Sequence, residues 1–205
     1  MPVSIELLGV GRILADKLNS KLLACVIGNK VTNLTDEVGQ FGADQVYYVD
    51  NEVLEDYVNE TYTKALTEVI KFSKPDVALV GATYLGRDLA PRVSSRLKTG
   101  LTADCTSLDI DEETSNLLMT RPAFGGNLMA TIVCPDNRPQ MSTVRPGVFI
   151  KPEKNADRKY EVQEVKVEYN SNDLNVEVLE TVNESSFDNS NYKKSFDFRW
   201  RFFGF

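Results

Sequence analysis

Short apolar runs alternate with amphipathic segments along the first half of the chain, and this alternation most limits its possible folds. The apolar runs are typical of strands buried on both faces, and they lie at residues 21–27, 45–49 and 76–80. Helical periodicity covers four segments, at residues 4–19, 33–41, 52–72 and 85–97. We therefore predict an α/β fold of three layers, in which right-handed crossovers build a mostly parallel sheet.

The pattern changes after residue 105. Short β-rich segments separated by Pro and Gly follow one another, at residues 107–110, 116–120, 129–133 and 143–144. Residues 162–167 and 176–181 alternate apolar and polar side chains, which predicts half-buried antiparallel strands. The predicted fold is thus α/β with an antiparallel C-terminal extension. Residues 187–205 differ again, because they contain six of the ten Phe and the only Trp.

Charge and composition exclude several classes of protein. The formal net charge of −7 and the pI near 4.8 argue against a nucleic-acid partner. No apolar run approaches the roughly 20 residues that span a bilayer, and no secretory signal is recognisable, so we expect no membrane association and a cytoplasmic location. The chain has no His, and its three Cys form no C-x-x-C pair. We therefore expect neither catalytic nor metal-binding residues.

A first candidate site follows the third predicted strand. Gly81 lies where that strand ends and a helix begins, at the carboxyl edge of the sheet, where open α/β sheets bind ligands. Gly86 permits tight backbone geometry there, and Arg87 and Arg92 add positive charge near a helix N-terminus that attracts anions. A purely structural role is the alternative, with Arg87 paired to Asp88 or Asp104.

A second candidate combines Arg121 with the turn residues Phe124, Gly125 and Gly126. An arginine fork suits phosphate or carboxylate, and an exposed Phe can stack on a ring. The alternative is a structural turn with a core Phe. Six arginines and one lysine lie between residues 87 and 145 of this acidic chain. They indicate either a basic patch for an anionic cofactor or acidic partner, or a dispersed set of solvated charges.

Several strings also resemble a known family in order and spacing, namely GRDLAPR, KTGLTADCT, TRPAFGGN, ATIVCP and RPQMSTVRPG. From about residue 2 to about residue 182 the chain resembles the α subunit of electron transfer flavoproteins. The segment VSIELLGVGRILADKL is closer to subunits from anaerobes that carry out flavin-based electron bifurcation.

The resemblance implies an α/β domain with an adenine-nucleotide α-hydrolase-like fold, followed by a domain that binds FAD. Such subunits pair with an electron transfer flavoprotein β subunit, whose nucleotide is AMP or a second FAD. The heterodimer takes electrons from a flavoprotein dehydrogenase, such as acyl-CoA dehydrogenase in fatty acid β-oxidation, and bifurcating members also oxidise NADH. We expect five residues to face the cofactor or the partner subunit: Arg87, Arg92, Arg121, Gly125 and Gly126.

The resemblance is incomplete at both ends. Residues 1–182 correspond to the N-terminal α/β domain, and the atypical aromatic tail at 183–205 stands where the FAD-binding domain would begin. We expect that domain to be absent. Family members also begin with one more strand, whose loss would leave an unpaired sheet position. Two alternatives to electron transfer stay open: a redox-inactive heterodimerisation or nucleotide-binding module, and a truncated remnant.

Overall fold

A computed structural model describes residues 2–176 and 178–179, together with the backbone of residues 202–204. The helices are α1 (Pro2–Lys17), α2 (Leu34–Gln40), α3 (Asn59–Ser73) and α4 (Tyr84–Leu97). None of these described helices is long and apolar enough to cross a membrane. Single 3₁₀ turns lie at Glu52–Leu54, Phe124–Gly126 and Ser171–Asp173.

Within the described residues, ten strands form two sheets. The strands of the large sheet are β1 (Leu23–Gly28), β2 (Gln45–Asp50), β3 (Val77–Gly81), β4 (Leu101–Cys105), β8 (Gln140–Val144), β9 (Glu161–Glu164) and β10 (Phe202–Gly204). Their order is β4-β8-β3-β10-β1-β2-β9. All neighbours pair in parallel except β10, which is antiparallel to both β1 and β3. The predicted mostly parallel sheet is confirmed.

Helices cover both faces of this sheet. Alternate side chains of β1 enter different cores, because successive residues of a strand point to opposite faces. Ala24 and Val26 pack with α1 and α2. Cys25 and Ile27 pack on the other face with α3 and α4. The three-layer α/β architecture is therefore confirmed.

A small antiparallel sheet lies beside the large one. Its strands are β5 (Ser107–Ile110), β6 (Leu117–Ala123) and β7 (Leu128–Ile132), in that order. Ile110, Leu117 and Met119 are buried against Leu7 of α1. At the start of β6, the Leu117 N–H donates to the side-chain oxygen of Gln140 at 3.0 Å, which joins this sheet to β8. The short strands predicted here are confirmed.

The predicted antiparallel direction of the strand at residues 162–167 is wrong, because β9 pairs in parallel with β2. Arg158 explains the direction. Its Nη2 lies 2.7 Å from Oδ1 of Asp44, which immediately precedes β2, so the segment reaches the sheet at the amino end of β2 and then runs alongside it. Val165 and Val167 continue beyond β9 into the core beneath α3.

The other C-terminal predictions are only partly covered by the described residues. Within the strand predicted at 176–181, the described residues Val176, Val178 and Leu179 are exposed and belong to no strand. Most of the aromatic tail assigned to residues 183–205 lies outside the described residues. Its described part, β10, is a strand of the large sheet.

Candidate functional site at the carboxyl edge of the sheet

The candidate site lies where three neighbouring parallel strands end. β3, β8 and β4 are adjacent and parallel, so their carboxyl ends meet at one edge. α4 begins directly after β3. Thr83 caps this helix, since its hydroxyl accepts a hydrogen bond from the Gly86 N–H at 3.2 Å. The predicted strand–turn–helix context is therefore present.

Gly86 lies in the first turn of α4, against the end of β3. A Cβ atom at this position would lie 1.9 Å from the carbonyl oxygen of Gly81, well inside contact distance. The residue must therefore be glycine for the helix to start so close to the strand. The close approach of backbone to backbone that we predicted at Gly86 is therefore present.

Asp104 lies near the end of β4 in an unusual conformation. Its φ of 63° falls in the left-handed region, and the pairing of β4 with β8 shifts register between Thr102 and Cys105. Such a bulge redirects a side chain. The Asp104 N–H donates to Oγ1 of Thr143 at 2.8 Å. This hydrogen bond gives the N–H a partner where the backbone pairing between β4 and β8 is interrupted.

Two arginines bind the Asp104 carboxylate from different elements. Arg145, which follows β8, places Nη2 2.6 Å from Oδ2 and Nε 3.3 Å from Oδ1. Arg87 of α4 places Nη2 3.2 Å from Oδ1, while its Nε donates to the Ala82 carbonyl at 3.0 Å. Hydrogen bonding from Arg145 holds the pKa of Asp104 below its usual value, with further contributions from the charges of Arg87 and Arg121.

The cluster of Arg87, Arg121, Arg145 and Asp104 (the arginine cluster) has more positive than negative charge. Three guanidinium groups act on one carboxylate, which leaves an excess of two positive charges. The side chains of Arg87 and Arg145 are 58% and 44% exposed. Both keep N–H groups at the surface, where they can bind a phosphate or a carboxylate.

The structure unites some of the predicted residues and separates others. Arg87 contacts Asp104, and Arg121 is included in the arginine cluster because its charge also lowers the pKa of that carboxyl. Arg92 lies on the exposed surface of α4 and forms no ion pair with any described residue. Asp88 and Asp104 were the two structural partners considered for Arg87. The structure pairs Arg87 with Asp104, and Asp88 accepts a hydrogen bond from the Tyr57 hydroxyl at 2.8 Å.

Gly125 and Gly126 lie at the tip of the β6–β7 hairpin. With Phe124 they adopt three successive positive φ values, of 47°, 71° and 91°. Phe124 is 83% exposed, so the alternative of a core Phe is wrong. The hairpin exposes further apolar side chains, at Leu128, Met129, Ile132 and Val133.

Asp104 and Arg145 were not among the predicted site residues. The available signal for Asp104 was its place as one of the two acidic residues considered as structural partners of Arg87. Arg145 contributed to the predicted basic region and lies in the string RPQMSTVRPG, but it was not singled out from the other arginines. A cavity of about 300 Å³ lies elsewhere, at the amino ends of β1 and β3, and none of the five predicted residues lines it.

Comparison with known proteins defines the class of protein. Residues 1–169 match the electron transfer flavoprotein domain family. The chain is 54% identical over 185 residues to the electron transfer flavoprotein subunit alpha of Thermoanaerobacterium thermosaccharolyticum, covering 90% of this chain and 56% of that protein. It is 52% identical over 181 residues to Protein FixB of Clostridium saccharobutylicum, covering 88% and 53%.

A third relative is named for a specific complex. The chain is 44% identical to the acryloyl-CoA reductase electron transfer subunit beta of Anaerotignum propionicum, covering 88% of this chain and 56% of that protein. The chain belongs to the electron transfer flavoprotein family, a family of electron carriers, as its motifs predicted. It spans about half the length of the curated relatives it matches.

Proposed function

We propose that this chain serves electron transfer as the α subunit of an electron transfer flavoprotein heterodimer. In this role it relays electrons between a flavoprotein dehydrogenase, such as an acyl-CoA dehydrogenase, and downstream carriers in the cytoplasm. The observation that carries the proposal is the 54% identity, over 90% of the chain, to a protein named electron transfer flavoprotein subunit alpha. The relatives extend beyond this chain, so the proposal concerns the complete complex.

The proposed cofactor is FAD, with AMP or a second FAD in the β subunit. When bound, a flavin supplies the redox chemistry, and the protein supplies binding and electrostatics. The arginine cluster fits the phosphate groups of such a nucleotide, because exposed guanidinium groups outnumber the carboxylate they share. It equally fits an acidic group of the partner. In either case Arg87 and Arg145 would orient the anion, and Asp104 would hold both side chains in place.

The proposed contact surface for the β subunit includes the β6–β7 hairpin. Phe124, Leu128 and Met129 are 83%, 58% and 58% exposed on a short antiparallel sheet. Several exposed apolar side chains on one hairpin are typical of protein–protein contacts. The hairpin is held by the buried Gln140–Leu117 hydrogen bond at its base, so a partner would meet a surface that is already ordered.

Copurification with an electron transfer flavoprotein β subunit tests the proposal. We expect a stable complex that retains flavin, measured by its visible absorbance, and that is reduced by a flavoprotein dehydrogenase and its substrate. A complex without flavin would support the redox-inactive heterodimerisation module instead. Failure to form any complex would overturn both interpretations.

A matched pair of variants tests the assigned residues. Arg121→Ala removes a member of the arginine cluster, whereas Arg92→Ala removes an exposed arginine outside it. We expect Arg121→Ala to weaken flavin retention or β-subunit affinity more than Arg92→Ala does. Unchanged flavin content and unchanged affinity in Arg121→Ala would show that the cluster serves neither ligand.

A further inference from the structure

β10 joins two halves of the large sheet. Phe202, Phe203 and Gly204 lie opposite Val26, Cys25 and Ala24 of β1, and Gly204 also lies opposite Leu79 of β3. On one side of β10 are β1, β2 and β9, and on the other are β3, β8 and β4. Among the described strands, β10 alone pairs with both halves.

The strands on either side of β10 are deeply buried. Ala24, Cys25 and Val26 of β1 are at most 1% exposed, and Ala78 and Leu79 of β3 are at most 2% exposed. Strands of one sheet lie about 4.8 Å apart, so β1 and β3 are separated by the width of one intervening strand. Buried N–H and C=O groups need partners, and only an extended backbone can pair with both edges. We call the gap between β1 and β3 the strand slot.

The described residues of β10 fill only part of the strand slot. It has three residues, whereas β1 has six and β3 has five. Beyond Gly204, towards the amino ends of both strands, the cavity of about 300 Å³ opens between Leu23 and Val77. Leu14 of α1 and Leu18, which follows α1, line its apolar side. The slot is therefore longer than the described part of β10, and its walls suit an extended apolar segment.

We propose that the strand slot is an acceptor site for an extended peptide strand, and that residues 202–204 of the same chain are its occupant. In this arrangement the C-terminal segment acts as a plug that holds the two halves of the sheet in register. The inference is independent of the proposed electron transfer, because it depends only on strand pairing within the chain.

An engineered disulfide tests the register directly. Phe203→Cys places a thiol opposite Cys25, and directly opposed residues of antiparallel strands have the Cα separation that a disulfide requires. Cys134→Ser in the background removes the half-exposed thiol. Oxidised glutathione is the oxidant: the two protein thiols lose two protons and two electrons, and two molecules of reduced glutathione form. We expect an intramolecular Cys25–203 disulfide, identified by peptide mass spectrometry.

Two neighbouring positions provide matched controls. Phe202→Cys and Gly204→Cys place the new thiol opposite Val26 and Ala24, and successive residues project to opposite faces of the sheet. We expect at least tenfold less cross-linking to Cys25 from these positions. Equal yields at all three positions, or no disulfide from Phe203→Cys, would overturn the proposal. A covalent dimer would also overturn it, since a second copy would then supply the strand.

Hydrogen exchange tests the effect of the plug on the sheet. Phe203→Pro removes the backbone N–H group and fixes the φ angle. Phe203→Leu keeps the N–H group and leaves the φ angle free. We expect amide exchange in Leu23–Gly28 and Val77–Gly81 to be at least tenfold faster in the proline variant, and unchanged in the leucine variant. Exchange in Gln140–Val144 should stay unchanged in both and is the internal control. Unchanged exchange in both adjoining strands would contradict the proposal. If the proline variant unfolds, the disulfide experiment decides, because it does not depend on that variant.

Discussion

Arg145 and Asp104 form a two-point ion pair at the carboxyl edge of the sheet, with Nη2–Oδ2 and Nε–Oδ1 distances of 2.6 Å and 3.3 Å. The pair links the residue after β8 to the bulge in β4. Arg87 reaches the same carboxylate from α4, so one side chain connects three elements that meet at this edge. Asp104 therefore determines both the local structure and the charge of the candidate site.

Asp104→Asn should lower stability in a pH-dependent way. The ion pairs hold the pKa of Asp104 below its unfolded value, near 3.9, so their contribution is fully present above that pH. It disappears as the pH falls through the lowered pKa and the carboxylate takes up a proton. We expect the urea midpoint of the wild type to exceed that of the variant at pH 7, with the two converging as the pH falls through the lowered pKa of Asp104. Asn tolerates the left-handed backbone, so a gap that persists in acid would contradict this explanation.

Much of the fold was predictable because strong local patterns coincide with buried elements. The apolar runs at β1, β2 and β3 and the periodicity of α1 and α4 each reflect burial of one strand or one helix face. The direction of β9 was not predictable in this way. It depends on the ion pair between Arg158 and Asp44, residues that are 114 positions apart, and no local pattern records such a contact.

The candidate site was predictable in its location but not in its details. Gly86 and Arg87 follow a recognisable strand–turn–helix pattern, which placed them at the sheet edge. The left-handed conformation of Asp104 is invisible in the sequence, since Asp is compatible with ordinary strand geometry as well. Arg92 and Arg87 look equivalent in sequence, but five residues along a helix correspond to a rotation of about 140°, and only Arg87 pairs with Asp104.

Gly86→Ala should destabilise the fold severely. The added Cβ would lie 1.9 Å from the Gly81 carbonyl oxygen, a backbone atom that cannot rotate away. We expect the free energy of unfolding to fall by about 3 kcal/mol or more, measured by chemical denaturation. Ser95→Ala on the exposed surface of α4 is the matched control and should change it by less than about 0.5 kcal/mol. Alanine has a higher helix propensity than glycine or serine, so unchanged or higher stability in Gly86→Ala would contradict the close approach.

Glu6 should stabilise the turn that follows β8. Its side chain is buried in α1, and Oε2 accepts the Gly147 N–H at 2.7 Å. Glu6→Ala removes the acceptor and leaves that N–H unsatisfied, so we expect a loss of about 2 kcal/mol in the free energy of unfolding. Glu6→Gln keeps an acceptor of the same length and should lose clearly less. Equal losses would mean that the contribution of Glu6 is packing alone.

Gln140 should hold the small sheet to the large one. It is 1% exposed, and its side-chain oxygen accepts the Leu117 N–H at 3.0 Å. Gln140→Leu fills similar space but leaves the buried N–H without a partner, so we expect a loss of about 2 kcal/mol. Hydrogen exchange should quicken in Leu117–Ala123 more than in Val77–Gly81. Unchanged exchange in Leu117–Ala123 for Gln140→Leu would contradict this role of the hydrogen bond.

Phe124 should contribute to partner binding at a cost to the stability of the free chain. Its φ of 47° lies in the left-handed region, which is unfavourable for a large aromatic residue, and its side chain is 83% exposed. A strained, exposed aromatic residue at a hairpin tip is better explained by a contact with another molecule than by folding. Asn tolerates this backbone, so Phe124→Asn should leave the free energy of unfolding unchanged or raise it.

We expect the same variant to weaken affinity for a β subunit about tenfold, as truncation of an aromatic anchor does, measured by isothermal titration calorimetry. The exposed tip residue Asn127, changed to Ala, is the control. Unchanged affinity in Phe124→Asn would remove the hairpin tip from the proposed contact surface.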